Sequence, residues 1–167
     1  MTYTAGDLVF CHSKGFISKA IRLAEWFRFR GGDRYNHVAV LYKEVEVDGD
    51  ADDWLVIQAE ARGVTCTRRL NEVAPGGSYE VVPIEGTVKD PDDVVLFAFN
   101  EVGSKYGFLT IVSILFTLFT PKFVNIMLPN TWICSALAAE SLRAGGWIHH
   151  WDDLYQVNPA ELYEVVR

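Results

Sequence analysis

Trp132-Ile133-Cys134-Ser135-Ala136-Leu137-Ala138-Ala139-Glu140 reads as the opening of a helix that runs to Gly145-Gly146, with a cysteine in its first turn. A helix N-terminus carries partial positive charge from unpaired backbone N–H groups. A thiol placed there gives up its proton more readily, and the thiolate is the reactive form. Far upstream, Tyr35-Asn36-His37-Val38-Ala39-Val40-Leu41 sets one histidine at the mouth of an apolar strand. A cysteine and a histidine far apart in sequence form the usual pattern of a nucleophile and its base before folding.

Working outward from these two segments, the chain divides into blocks. Residues 7–12 read as a first strand. Residues 16–29 read as an amphipathic helix, with Ile17, Ala20, Ile21, Ala24 and Phe27 at helical spacing. Residues 37–45 and 54–60 read as a hairpin joined by the acidic segment 47–53. Residues 64–67 and 79–83 are shorter strands separated by Pro75-Gly76-Gly77-Ser78. Asp90 and Pro91 look like the cap and first residue of a helix reaching about Val102, with Asp92 and Asp93 at its positive end. Asn158-Pro159-Ala160-Glu161-Leu162 reads as a short turn or helix before a last strand at 163–166. Strands without crossover helices favour an antiparallel sheet, and the segregated blocks make the fold α+β.

The hairpin register bears on the chemistry. If the chain turns near Asp48-Gly49, His37 lies opposite Glu60, with Cβ atoms about 4.5–5.5 Å apart. The Glu60 carboxylate would hold one imidazole nitrogen and leave the other for the thiol, as the third member of a nucleophile, base and orienter set. Gln58 shares that face and is the second candidate.

Composition bounds the rest. The chain has 167 residues, 50% of them hydrophobic and 22% charged, which fits one domain with a real core spanning residues 1–167. A net charge of −7 argues against nucleic acid as a partner. Three cysteines without a repeated spacing support neither a disulfide framework nor a zinc site, and fit a reducing compartment. The N-terminus lacks the basic start and apolar stretch of a signal peptide, so the expected location is cytoplasmic. Asp48, Asp50 and Asp52 begin like a calcium loop, but Ala59 stands where its glutamate belongs, so the run reads as a solvated loop. His149 and His150 are adjacent, which suits a shared metal ion poorly. No metal and no cofactor is expected.

Residues 106–120 carry no charge, yet the stretch before Pro121 is shorter than the roughly 20 residues a spanning helix needs. Two readings stand for the block 106–127. It is either a helix buried against the sheet, or an apolar wall that holds an acyl chain or makes a peripheral membrane contact.

Taken in order, Gly6-Asp7-Leu8-Val9-Phe10, a helix, Asn36-His37-Val38-Ala39-Val40, Gln58-Ala59-Glu60-Ala61-Arg62-Gly63-Val64 and Cys134-Ser135-Ala136-Leu137-Ala138-Ala139-Glu140 resemble the circularly permuted papain-like cysteine hydrolases. More narrowly, they resemble the YiiX-like and lecithin:retinol-acyltransferase-like branch of the NlpC-type superfamily. Histidine precedes cysteine, the reverse of ordinary papain-type enzymes. Lys105-Tyr106-Gly107 sits where the family often has a tyrosine-containing loop. The resemblance implies a small antiparallel sheet packed on the nucleophile helix, with Cys134 as nucleophile, His37 as base and Glu60 as the polar third residue. It implies cleavage of an amide, ester or thioester bond in a peptidoglycan-type peptide or a lipid or acyl compound. The uncharged block tilts the substrate towards the acyl side. Tyr35, Asn36, Gln58, Ser135 and Tyr106 are the candidates for lining the substrate or the oxyanion. The competing readings are a catalytically silent papain-like binding module and a peripheral lipid-binding protein.

Overall fold

The computed structural model describes residues 3–12, 35–47, 51–74, 78–117, 128–148 and 157–167. The expected helix at 16–29, the hairpin tip at 48–50, Pro75-Gly76-Gly77, the segment 118–127 and His149-His150 lie outside the described residues.

A five-stranded sheet runs in the order β4-β3-β2-β1-β5, antiparallel throughout. Its strands are β1 (Leu8–His12), β2 (His37–Val47), β3 (Ala51–Glu60), β4 (Gly63–Arg69) and β5 (Ser78–Val82). The acidic segment expected as a loop between β2 and β3 is instead mostly paired strand, from Glu46↔Asp52 to Glu44↔Trp54. Cross-strand pairing here overrides the poor strand propensity of aspartate.

Both faces of the sheet bury apolar side chains. On one face Leu8, Phe10, Val38, Val40, Ile57 and Ala59 meet Ala136, Leu137, Leu142 and Leu162. On the other, Val9, Ala39, Leu41 and Val56 meet Leu70, Val73 and Ala74. The strands therefore read as continuous apolar runs, because period-2 alternation disappears when both faces are covered.

Helices Pro91–Asn100 and Cys134–Ala144 pack over the first face, and Leu162, Tyr163 and Val166 of the last helix join that core. Helix α1 (Pro91–Asn100) begins as expected, its Asp90 side chain accepting from the Asp92 N–H at 3.0 Å. Helix α2 (Phe108–Thr117) follows a two-residue strand, β6 (Lys105–Tyr106). Strand β7 (Thr131–Trp132) pairs parallel with β6 and leads into α3 (Cys134–Ala144), the expected cysteine helix. Gly145 closes α3 against α1. A Cβ there would stand 2.4 Å from Val94 Cγ2 and 2.7 Å from the Asp90 carbonyl oxygen, which admits no side chain.

The chain ends in a helix, α4 (Pro159–Val166), where a strand was expected at 163–166. A reciprocal capping box explains the difference. Asn158 Oδ1 accepts from the Glu161 N–H at 2.8 Å, and the Glu161 carboxylate accepts from the Asn158 N–H at 3.4 Å. With Pro159 in the first turn, the buried Pro159, Leu162, Tyr163 and Val166 fall at helical spacing.

The turn from β3 to β4 fixes the β6–β7 layer to the sheet. Gly63 has φ +113, and a Cβ there would lie 2.5 Å from the Ser104 carbonyl oxygen. That oxygen accepts from the Val64 N–H at 2.9 Å. Gly63→Ala is expected to lower the unfolding free energy by at least about 1 kcal/mol, from left-handed strain and the clash together. The check is the urea midpoint; an unshifted midpoint would refute the constraint.

Candidate active site

Two side-chain hydrogen bonds to Glu101 help deliver Cys134. The indole N–H of Trp132 donates to Glu101 Oε2 at 2.6 Å, and the Ser104 hydroxyl donates to the same oxygen at 2.8 Å. These bonds anchor β7 two residues before the cysteine. Ile133 at the N-cap of α3 supplies no side-chain acceptor. The first-turn N–H groups of α3 thus lack the usual side-chain cap.

His37 opens β2, where its Cα is paired with that of Cys11 on β1. The Asn36 N–H donates to the Cys11 carbonyl oxygen at 3.1 Å and holds the strand entry. The imidazole is half-buried and hydrogen-bonds with the Cys134 sulfur. Its Nε2 lies 2.7 Å from Gln58 Oε1. An amide oxygen only accepts, so Nε2 carries a hydrogen and Nδ1 is left to serve the sulfur.

The side chain hydrogen-bonded to the imidazole is Gln58, not Glu60. The ladder Val40↔Ile57 and Leu41↔Val56 has the register that, continued, sets His37 opposite Glu60. The Glu60 carboxylate instead accepts from Arg68 Nε at 3.2 Å and Thr65 Oγ1 at 3.4 Å, on the β4 side. A register shift between Val56 and Gln58 in the β3–β4 pairing accompanies this change, and such irregularities re-aim side chains. Gln58 is the diagonal neighbour of His37, a separation that long side chains bridge. The Glu60 charge still favours imidazolium, at longer range than the Gln58 bond.

Burial by itself pushes the Cys134 thiol up and the His37 imidazole down. The mutual hydrogen bond and charge attraction outweigh burial at both groups. Backbone N–H groups of Val38 and Ser135 add to the effect at the sulfur. The thiol is thereby held below its ordinary 9.0 and the imidazole above its ordinary 6.5, which favours a thiolate–imidazolium pair. Val38 contributes only through its backbone, so its side-chain identity gave no signal of the role.

The other candidates divide. Ser135 is buried beside the sulfur and acts through its N–H. Tyr106 is close enough to Cys134 to feel its charge, and burial first, then that charge, raise the phenol. Asn36 is buried at the strand entry. Tyr35 is buried, and its hydroxyl donates to Glu80, which also accepts from the Tyr163 hydroxyl at 2.8 Å. Its ring packs on Phe10 and Tyr163. These bonds tie Tyr35 to β5 and α4. Cys11, Cys66 and Cys134 are all free, and burial pushes the Cys11 thiol up to about 12, with the Cys134 charge adding to it.

Alkylation of Cys134 by iodoacetamide is expected to reach half-maximal rate below pH 9.0, the value of an unperturbed thiol. Gln58→Ala removes an acceptor that favours imidazolium, so it should move that point upward. An unchanged profile would show that Gln58 does not tune the pair.

No family model matches the sequence, and no curated protein matches it. Among solved structures it is similar to the metalloprotein YiiX from Escherichia coli O157:H7, a DUF1105 protein, with TM-score 0.59 and 19% identity over 98% of this chain and 81% of that one. At that identity the likeness establishes the fold alone, and the fold is a YiiX-like α+β fold with a five-stranded antiparallel sheet.

Proposed function

We propose that this chain is a thiol hydrolase or acyltransferase of the permuted papain type, on the lecithin:retinol-acyltransferase-like side of the NlpC-type superfamily. The observation that carries this reading is the hydrogen-bonded chain from the Cys134 sulfur through the His37 imidazole to Gln58. The sulfur attacks an amide, ester or thioester carbonyl and forms a C–S bond. The carbonyl π electrons move to oxygen, for which the Cys134 backbone N–H is the proposed donor. Donors of this kind are worth about 2.7–4 kcal/mol in other enzymes. As the tetrahedral centre collapses, the leaving amine, alcohol or thiol takes the proton from imidazolium. Water, or an acceptor alcohol or amine, then gives a proton to His37, attacks the thioester and frees the sulfur.

YiiX is described as a metalloprotein. Among the described residues, no group of three or more His, Cys, Asp or Glu side chains comes together to hold a metal. Cys134 and His37 are two such donors, and the next contact is the Gln58 amide. These residues do not fit a metal centre, so the steps above run through sulfur and imidazole.

An alkyne-tagged chloroacetamide probe is expected to label Cys134. His37→Ala should slow labelling by about 100-fold, within the usual contribution of a positioned base. Cys11→Ala should leave labelling unchanged, since a thiol pushed up to about 12 is almost wholly protonated at neutral pH. Labelling indifferent to His37 would favour a catalytically silent module and overturn the proposal. Hydrolysis of an acyl thioester by the wild type and not by Cys134→Ala would establish turnover.

A further inference from the structure

Tyr35, two residues before His37, ends on a carboxylate that a second phenol shares. Its hydroxyl donates to Glu80 Oε2, and the Tyr163 hydroxyl donates to Glu80 Oε1 at 2.8 Å, so each carboxylate oxygen accepts one phenol. Tyr35 and Tyr163 are 5% and 4% exposed, with ring centroids 4.7 Å apart, and both rings pack on Phe10, at 5.7 and 5.2 Å. Apolar packing here needs rings and not hydroxyls, and phenylalanine would fill nearly the same volume. A half-buried carboxylate beside these rings loses hydration that its hydrogen bonds must replace. What the polar centre adds to the core is direction, because a hydrogen bond fixes distance and angle where apolar contacts allow sliding.

Two routes run from Glu80 to His37 and close a ring. Along one, Tyr35 carries the hold of the carboxylate to Asn36 and His37, the next two residues of the chain. Along the other, Glu80 pairs with Phe10 across β1 and β5, and the next residue of β1, Cys11, pairs with His37 and accepts from the Asn36 N–H at 3.1 Å. His37 is the first residue of β2, so the ladder holds the backbone that follows it, and Tyr35 holds the backbone that precedes it. We propose that Tyr35, Glu80 and Tyr163 are positioning residues of the Cys134–His37 pair, clamping the entry of β2 and with it the backbone from which the imidazole reaches the sulfur. The inference rests on the reading of that pair as a nucleophile and its base. Through Tyr163 the clamp extends to α4, the helix that the Asn158 capping box starts. Burial first, and the Glu80 bond second, push the Tyr35 phenol up, so it remains a donor while the thiol and imidazole titrate.

The test is the pH profile of Cys134 alkylation by iodoacetamide in Tyr35→Phe, which deletes one hydroxyl and keeps the ring. A loosened imidazole stabilises the thiolate less, so the thiol rises towards its ordinary 9.0. The midpoint should move up by about half a pH unit, which is about a threefold loss of thiolate below the midpoint. Tyr163→Phe and Glu80→Ala should move it in the same direction. In a His37→Ala background Tyr35→Phe should leave the profile unmoved, since the clamp acts through the imidazole. Circular dichroism and the urea midpoint report the fold; where Glu80→Ala does not fold, the two phenylalanine variants decide. A Tyr35→Phe variant with a lowered urea midpoint and the wild-type profile would show a bond that only stabilises the fold, and would overturn the proposal. A shift that persists without His37 would do the same. If alkylation of the wild type is itself indifferent to His37→Ala, the hydrolase reading falls and the clamp with it. If it depends on His37 and not on Tyr35, the clamp alone falls.

Discussion

The sulfur of Cys134 is buried and the imidazole of His37 half-buried against it, and the rest of the site is arranged around that pairing. Burial disfavours the charge on each. A buried pair persists as ions only if mutual attraction and extra hydrogen bonds exceed the desolvation of both. Here the extra bonds are the N–H groups of Val38 and Ser135 at the sulfur and the Gln58 amide at the ring. These partners are backbone or neutral amide groups, which stabilise charge without bringing a second charge that must itself be buried. Glu60 in the place of Gln58 would have added a carboxylate to a site that already holds a thiolate.

Such a pair tolerates little drift, and the fold supplies the stiffness. His37 enters on β2, the central strand, beside β1, whose own start is pinned by Asp7. That buried carboxylate accepts from the Thr4 N–H at 2.9 Å and the Ile84 N–H at 3.1 Å. Cys134 enters from a different layer, through β7. Its position relative to the sheet is set by Glu101 beneath Trp132 and by the Gly63 turn against Ser104. Each group thus sits at the first residue of a regular element, so its backbone is fixed on one side by a ladder or a helix. The side chain projects from the end of that element, where two layers meet.

What the sequence reveals of this follows from whether the governing interaction is local. The caps at Asp90 and Gly145, the apolar strands and the first-turn cysteine are encoded within a few residues of where they act, and each is found where it was read. The Asn158 and Glu161 pair is equally local. Reading 163–166 as a strand gave β-branched valines more weight than the capping box that starts the helix. The choice between Gln58 and Glu60 is of another kind. It depends on a bulge in a neighbouring pair and on competition from Arg68, neither of which side-chain period alone expresses. The outward face of α2, where Phe108, Leu109 and Val112 are exposed, is similarly hidden, because an uncharged run looks the same whether its apolar side chains point in or out.

Tyr106 links the Cys134 site to the start of α2. Its phenol is pushed upward by burial first and by the Cys134 charge second, so it stays protonated while the thiolate forms. A protonated phenol keeps an O–H to donate, and adds no negative charge near the sulfur. On its other edge it meets Phe108, the first residue of α2. A single aromatic side chain thus packs on Phe108 and lies within electrostatic reach of the Cys134 sulfur. The short parallel pairing of β6 with β7 sets Tyr106 beside Trp132, and so brings the start of α2 next to the strand that leads into α3.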